Sequence, residues 1–171
     1  MHRNVLRPFV LIAASFTLSI HAQPAETTAK TTADRILVIK STHTMTLYAG
    51  GQVLKVYHVW LGRGPGSAKQ QQGDNETPEG LYTIIGRNPH SAAHISLHIS
   101  YPNATDRERA RKLGVDPGGD IMIQGLPPGN DWVKPGQQLA DWTYGCIALT
   151  DAEMDEIWKL VPNGTQIEIR H

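Results

Sequence analysis

The spacing of apolar and polar positions changes several times along the chain, and each change marks an element. Residues 35–39 form a short apolar run, and residues 44–48 alternate up to the turn signal Ala49-Gly50-Gly51. Residues 52–60 follow, rich in the β-formers Val53, Val56, Tyr57, Val59 and Trp60. The pattern predicts an antiparallel meander. Residues 62–73 hold Gly, Pro, Ser and Gln without an apolar period, so they read as a loop in which Lys69 and Gln70-Gln71-Gln72 are solvated. After the turn Thr77-Pro78-Glu79-Gly80, residues 81–85 and 94–101 are the next strand candidates.

Thr105-x-x-Glu108 has capping-box spacing and predicts a short, charged surface helix over residues 106–113, stopped by Gly114. Residues 121–123 read as a buried strand, 125–134 as a loop able to move, and 146–149 as a short apolar run. A second box, Thr150-x-x-Glu153, opens a helix whose apolar positions Met154, Ile157, Trp158 and Val161 fall on one face. Asn163-Gly164 ends that helix, and residues 166–169 supply a closing strand. The sum is a mainly β fold, a sandwich or barrel of about eight short strands with two peripheral helices.

Composition narrows the classes of function. A chain of 171 residues buries one ordinary core. Its 16 Lys and Arg balance 16 Asp and Glu, so no long-range field gathers nucleic acid or an anionic membrane. Arg3 and Arg7 precede an apolar stretch, residues 8–20, that ends near the small residue Ala22. This is the pattern of a secretory signal peptide over residues 1–22, cleaved near Ala22-Gln23. The stretch is shorter than the roughly 20 residues of a membrane span, so no integral membrane segment is expected after cleavage. Residues 23–33, rich in Thr and Ala, read as a flexible leader, and residues 34–171 as the folded domain. Loss of Arg3 and Arg7 leaves the mature chain mildly acidic, in the periplasm or at the cell wall.

The sequence has one cysteine, so an exported chain carries an unpaired thiol, Cys146. It is either a buried small hydrophobe or a reactive group. Gly145 precedes it on a loop entering a short strand, which frees the backbone to approach an acyl group. The Gly145 and Cys146 peptide N–H groups can then meet a developing oxyanion.

The wider pattern is more specific. Thr77-Pro78-x-Gly80-x-Tyr82, Asn88-Pro89, His94-x-Ser96-Leu97, Ile99-Ser100-Tyr101-Pro102-Asn103, Gly118-Gly119-Asp120-Ile121-Met122-Ile123 and Asp141-Trp142-Thr143-x-Gly145-Cys146-Ile147-Ala148 occur in order. The set resembles the L,D-transpeptidase (YkuD) catalytic domain over residues 34–169, in the exported bacterial branch with a Trp-Thr-x-Gly-Cys motif. The resemblance implies an L,D-transpeptidase-like β fold without a cofactor. It also implies a Cys146 nucleophile that attacks the carbonyl between an L-centre and a D-centre of a peptidoglycan stem peptide. The resulting thioester passes to an amine, giving a cross-link or a wall-anchored protein, or to water, giving release.

Departures from the family pattern set the questions for the structure. The family's base histidine is replaced in Ile123-Gln124-Gly125, and an amide does not titrate near neutral pH. The second familiar histidine is replaced by Tyr144, and the arginine two residues after the cysteine by Ala148. His94 and His98, four apart on one expected strand, would share a face with Ser96 and Ser100. If that face lines the cleft, His94 is the replacement base, beside Gln124 in the catalytic group with Cys146 and Gly145. Tyr144, Trp142, His98 and Gly125 are expected to meet substrate. A phenol titrates near ~10, so Tyr144 packs or donates, and Trp142 is either a platform or core support. Two histidines without a spaced carboxylate make no metal site. The alternative is a catalytically impaired relative that binds wall peptides or a partner protein, and Gln124 separates the two.

Overall fold

The computed structural model describes residues 32–130, 132–137 and 140–171. The signal-peptide reading and the leader as far as residue 31 lie outside the described residues. Ala33, assigned to the leader, is buried; its N–H donates to the Leu160 carbonyl at 2.8 Å, and its own carbonyl accepts from the Thr165 hydroxyl at 3.3 Å. Among the described residues, no helix is long and apolar enough to cross a membrane.

The expected meander is present as β1 (Arg35–Ile39), β2 (Thr44–Ala49) and β3 (Gln52–His58). Then come β4 (Gly80–Asn88), β5 (Ser96–Ile99), α1 (Ala104–Leu113), β6 (Met122–Gln124), β7 (Ile147–Ala148), α2 (Asp151–Leu160) and β8 (Gln166–Arg170). All eight strands join one curled sheet in the order β3-β2-β1-β8-β4-β5-β6-β7. The β1/β8 and β6/β7 pairs are parallel and the rest antiparallel. The fold is therefore mainly β, with eight strands and two helices, as the periodicity predicts.

Alternation decides which side chains enter the core. Ile36, Val38, Met45, Leu47, Ile84, Leu97, Ile123, Ile147 and Ile167 are fully buried on the inner face, and α2 closes that face with Met154, Ile157 and Val161. Each such burial contributes about 1.5–3 kcal/mol. The Thr150 hydroxyl and the Glu153 carboxylate cap α2 reciprocally, as predicted. Trp158, the fourth position of that helix face, is only partly buried, under the Arg87 guanidinium.

Four sequence expectations are corrected. Helix α1 starts earlier: Asn103 and Asp106 form the capping box, and Thr105 lies inside the helix. Strand β3 ends at His58, after which Trp60 is fully buried and bridges Ala148. Strand β5 begins at Ser96, because His94 takes a left-handed backbone at φ 60° that no strand accommodates. Lys69 is buried, with its ammonium on Asp74 Oδ1 at 2.8 Å and on the Gln71 carbonyl at 3.0 Å.

Candidate active site

Parallel pairing of β6 with β7 sets Ile123 beside Ile147 and Gln124 beside Ala148. Ile147 points into the core. Its neighbours Cys146 and Ala148 therefore point to the opposite face. There Ala148 packs with Trp60, Leu126, Val133 and Trp142. Extending the register one step places Cys146 alongside Met122, which pairs with His98 of β5. Two cross-strand rows thus floor this face, His98-Met122-Cys146 and Ser96-Gln124-Ala148-Trp60.

The segment that delivers Cys146 is anchored along its length. Asp141 accepts the Leu61 N–H at 2.8 Å through Oδ1 and meets His43 Nε2 at 2.9 Å through Oδ2. Thr143 bridges Gly62, and its hydroxyl donates to the Cys146 carbonyl at 2.7 Å while accepting the Gly145 N–H at 3.1 Å. Gly145 has φ 124°, and a Cβ there would lie 2.7 Å from the Glu76 carbonyl oxygen. Only glycine passes at that point. With the Gly145 N–H engaged by Thr143, the Cys146 N–H is the neighbouring peptide donor without an acceptor among the described residues.

Cys146 is partly exposed, and its Sγ lies 3.6 Å from the Asp120 carbonyl oxygen. Burial pushes the thiol above its ordinary range. The Met122 N–H and the Lys69 charge oppose that rise, and Asp120 adds to it. Among the described residues, no imidazole hydrogen-bonds this thiol.

The remaining predicted residues do not all gather at Cys146. His94 is exposed, with Nε2 at 2.7 Å from Asp155 Oδ1 and Nδ1 at 3.9 Å from Asp151 Oδ2, so it is tied to α2. No hydrogen bond joins it to Cys146. Gly125 is buried where the chain squeezes between His94 and α2: a Cβ there would lie 2.6 Å from Asp151 Oδ1 and 2.7 Å from His94 Cβ. His98 and Gln124 share the face of Cys146. Ser96, opposite Gln124, is fully buried, and among the described residues its hydroxyl has no partner; Trp60 Nε1 is likewise unpaired there.

Tyr144 is 70% exposed and carries the Arg63 guanidinium 4.4 Å from its ring centroid. Among the described residues, no carboxylate pairs with Arg63. Trp142 is half-buried against the Trp60 cluster and, with Trp132, Leu126 and Val133, lines an apolar cavity of about 240 Å³. Sequence reasoning gave no role to Arg63, Asp120 or Lys69. The one available signal was a Lys69-to-Asp74 spacing that allows an ion pair across a turn.

Comparison with known proteins gives the family and the fold. The family model described as "L,D-transpeptidase catalytic domain" (YkuD) matches residues 33–169, and the chain belongs to that family. A curated relative, "Putative L,D-transpeptidase YafK" of Escherichia coli, is 32% identical over 132 residues, covering 74% of this chain and 46% of its own length. The chain thus spans about half the length of the curated relatives it matches. The crystal structure of the helical cell shape determining protein Pgp2 from Campylobacter jejuni superposes with TM-score 0.60 at 21% identity, covering 83% of this chain and 51% of that one. Bd1075 of Bdellovibrio bacteriovorus gives TM-score 0.56 at 19% identity, covering 82% of this chain and 51% of that one. Both solved structures share the fold.

Proposed function

We propose that this domain is an exported cysteine acyltransferase that acts on peptidoglycan stem peptides through a Cys146 thioester. The observation that carries the reading is the anchoring of residues 141–146, which presents a partly exposed thiol beside an unengaged peptide N–H. In the proposed cycle the thiol loses its proton, and the thiolate attacks the stem-peptide carbonyl. The Cys146 N–H receives the oxyanion. The C–N bond breaks, the leaving amine takes up a proton, and an amine or water then attacks the thioester and expels the thiolate. Amine attack gives a cross-link or a wall-anchored protein, and water gives release. Arg63, stacked on Tyr144 at the rim, is placed to meet a substrate carboxylate. Export follows from the basic and apolar opening of the sequence and is checked by N-terminal sequencing of the mature chain.

A second reading, a wall-peptide binder without turnover, draws on Gln124 and on the raised thiol. Intact mass after incubation with a carbapenem separates the two. The acyltransferase reading expects one adduct per chain that disappears in Cys146→Ser. Absence of an adduct, with Cys146 still open to a small thiol reagent, supports the binder. Defined muropeptides with and without an added amine then identify the acceptor.

A further inference from the structure

Glu76 is 3% exposed, and the loop before it is shaped around its carboxylate. The Ser67 N–H and hydroxyl donate to Oε1 at 3.1 and 3.0 Å. A Cβ on Gly64 would lie 2.7 Å from the Glu76 carboxyl carbon, so the backbone lies against the carboxylate there because the residue is glycine. The second oxygen, Oε2, is buried and has no hydrogen-bond partner among the described residues. A buried carboxylate oxygen left without a donor is costly, and native folds rarely leave one.

Glu76 lines a cavity of about 150 Å³ whose walls also carry Lys40, His43, Leu61, Asp141 and His171. The charged groups of these walls are committed to one another. Lys40 Nζ donates to Ser67 O at 2.6 Å, Thr77 O at 3.1 Å and Glu79 Oε1 at 3.0 Å, which uses all three of its N–H groups. Asp141 is engaged at both oxygens, by the Leu61 N–H and by His43 Nε2. His171 Nδ1 lies 3.8 Å from Glu79 Oε1. One acceptor, on a carboxylate, is thus left unanswered in a cavity whose ammonium has no N–H to spare. A single water takes up about 30 Å³, roughly a fifth of that volume.

We propose that this cavity binds a primary ammonium on an unbranched alkyl stem, the end group of a lysine-type side chain, with Glu76 Oε2 as its acceptor. A guanidinium pairs best through two parallel bonds to both oxygens of a carboxylate, and Oε1 is already held by Ser67. A compact ammonium needs the one oxygen that is free. Leu61 gives the stem an apolar wall, and Gly62 and Gly66 line the cavity without side chains. None of His98, Met122 and Cys146 lines it, so binding there does not depend on the acyltransferase reading.

The test follows the backbone amide signals of the full chain by two-dimensional NMR, at constant ionic strength and neutral pH, as n-butylammonium is added to about 50 mM. Saturable shifts are expected at Gly62, Gly66 and Glu76, with a Kd of about 1–10 mM. Trimethylbutylammonium, which keeps the charge but has no N–H, leaves these amides in place. Glu76→Gln keeps an oxygen for Ser67, turns an amide N–H₂ to the cavity and weakens butylammonium at least about tenfold. Ser41→Leu, at an exposed position of the same wall, fills part of the cavity, leaves Glu76 intact and weakens binding as well, which keeps the test decisive if Glu76→Gln does not fold. Absence of saturation in the parent overturns the proposal and leaves the cavity to water. Equal shifts with the trimethyl compound or with potassium chloride overturn it too, since they mark a response to diffuse charge or to a bare cation. So does an unchanged affinity in whichever variant folds.

Discussion

Replacing Gln124 by histidine tests the site from two independent sides. Gln124 lies opposite Ser96 on β5 and Ala148 on β7, and Cys146 is two residues before Ala148 on the same face. Directly paired residues have Cβ atoms about 4.5–5.5 Å apart, so an imidazole at 124 can give one nitrogen to Ser96 Oγ and turn the other toward the thiol. The Ser96 hydroxyl is buried and has no partner among the described residues. Such a group costs about 1–3 kcal/mol, and a new bond returns about 1 kcal/mol. A positioned base is worth about 10²–10⁴ in rate, so carbapenem acylation of Gln124→His rises by about 10²-fold and folding stability by about 1 kcal/mol. Ser96→Ala is neutral or stabilising in the parent but costs about 1 kcal/mol in Gln124→His, a coupling that a double-mutant cycle in urea measures. The reasoning fails if acylation does not accelerate, or if the cycle gives zero coupling.

The remaining expectations concern the supports of the site. Gly145→Ala puts a Cβ at φ 124° within 2.7 Å of the Glu76 carbonyl oxygen; thermal melts should show a loss of about 1–3 kcal/mol, with acylation reduced more than tenfold. His94→Ala should keep the acylation rate while lowering stability, because its imidazole is bound to Asp155 on α2; loss of acylation would assign it the base role. Burial raises the Asp74 carboxyl, but the Gln71 N–H, Lys69 and the Gln70 and Glu76 N–H groups outweigh this and hold it below its ordinary range. A carboxyl depressed in the fold stabilises fully above its unfolded value, near ~4, and loses that contribution as pH falls through the folded value. Urea melts should therefore weaken from about pH 5 downward, with a shallower decline in Asp74→Asn.

Local periodicity made most of the fold legible. The alternation through β1, β2 and β8 and the 3.6-residue face of α2 put Ile36, Met45, Ile167 and Met154 in the core, where they lie. The glycine set before the lone Cys146 is a local feature, and it takes a backbone angle, φ 124°, that favours glycine. The misreadings come from side-chain partners that local periodicity does not show. His94 leaves the strand to reach Asp155, 61 residues away, and Lys69 is buried in a polar loop because Asp74 neutralises it there. Asn103 supplants Thr105 as the cap, its side chain taking the Asp106 N–H while Asp106 returns the bond. Which face Cys146 shares with Gln124 depended on the β6/β7 register, and no spacing within the chain encodes that register.

The cost of building residues 141–146 bears on why Cys146 is there. Gly145 is held at φ 124° against the Glu76 carbonyl, and Asp141 and Thr143 are committed to keeping it so. Strain of this kind persists where the surrounding structure over-determines it, and it gathers at functional sites. If Cys146 served only as a small apolar filler, its removal would open a void on the packed side of the sheet. Cys146→Ala would then cost about 2 kcal/mol or more. A nucleophile that faces a cleft leaves no void when truncated. It also carries a desolvation burden, which is why its thiol is pushed up. Cys146→Ala should accordingly leave stability within about 0.5 kcal/mol of the parent or raise it slightly, as truncation at working sites does. Chemical melts of the two proteins decide this, and a loss beyond about 2 kcal/mol would return Cys146 to the core as a packing residue.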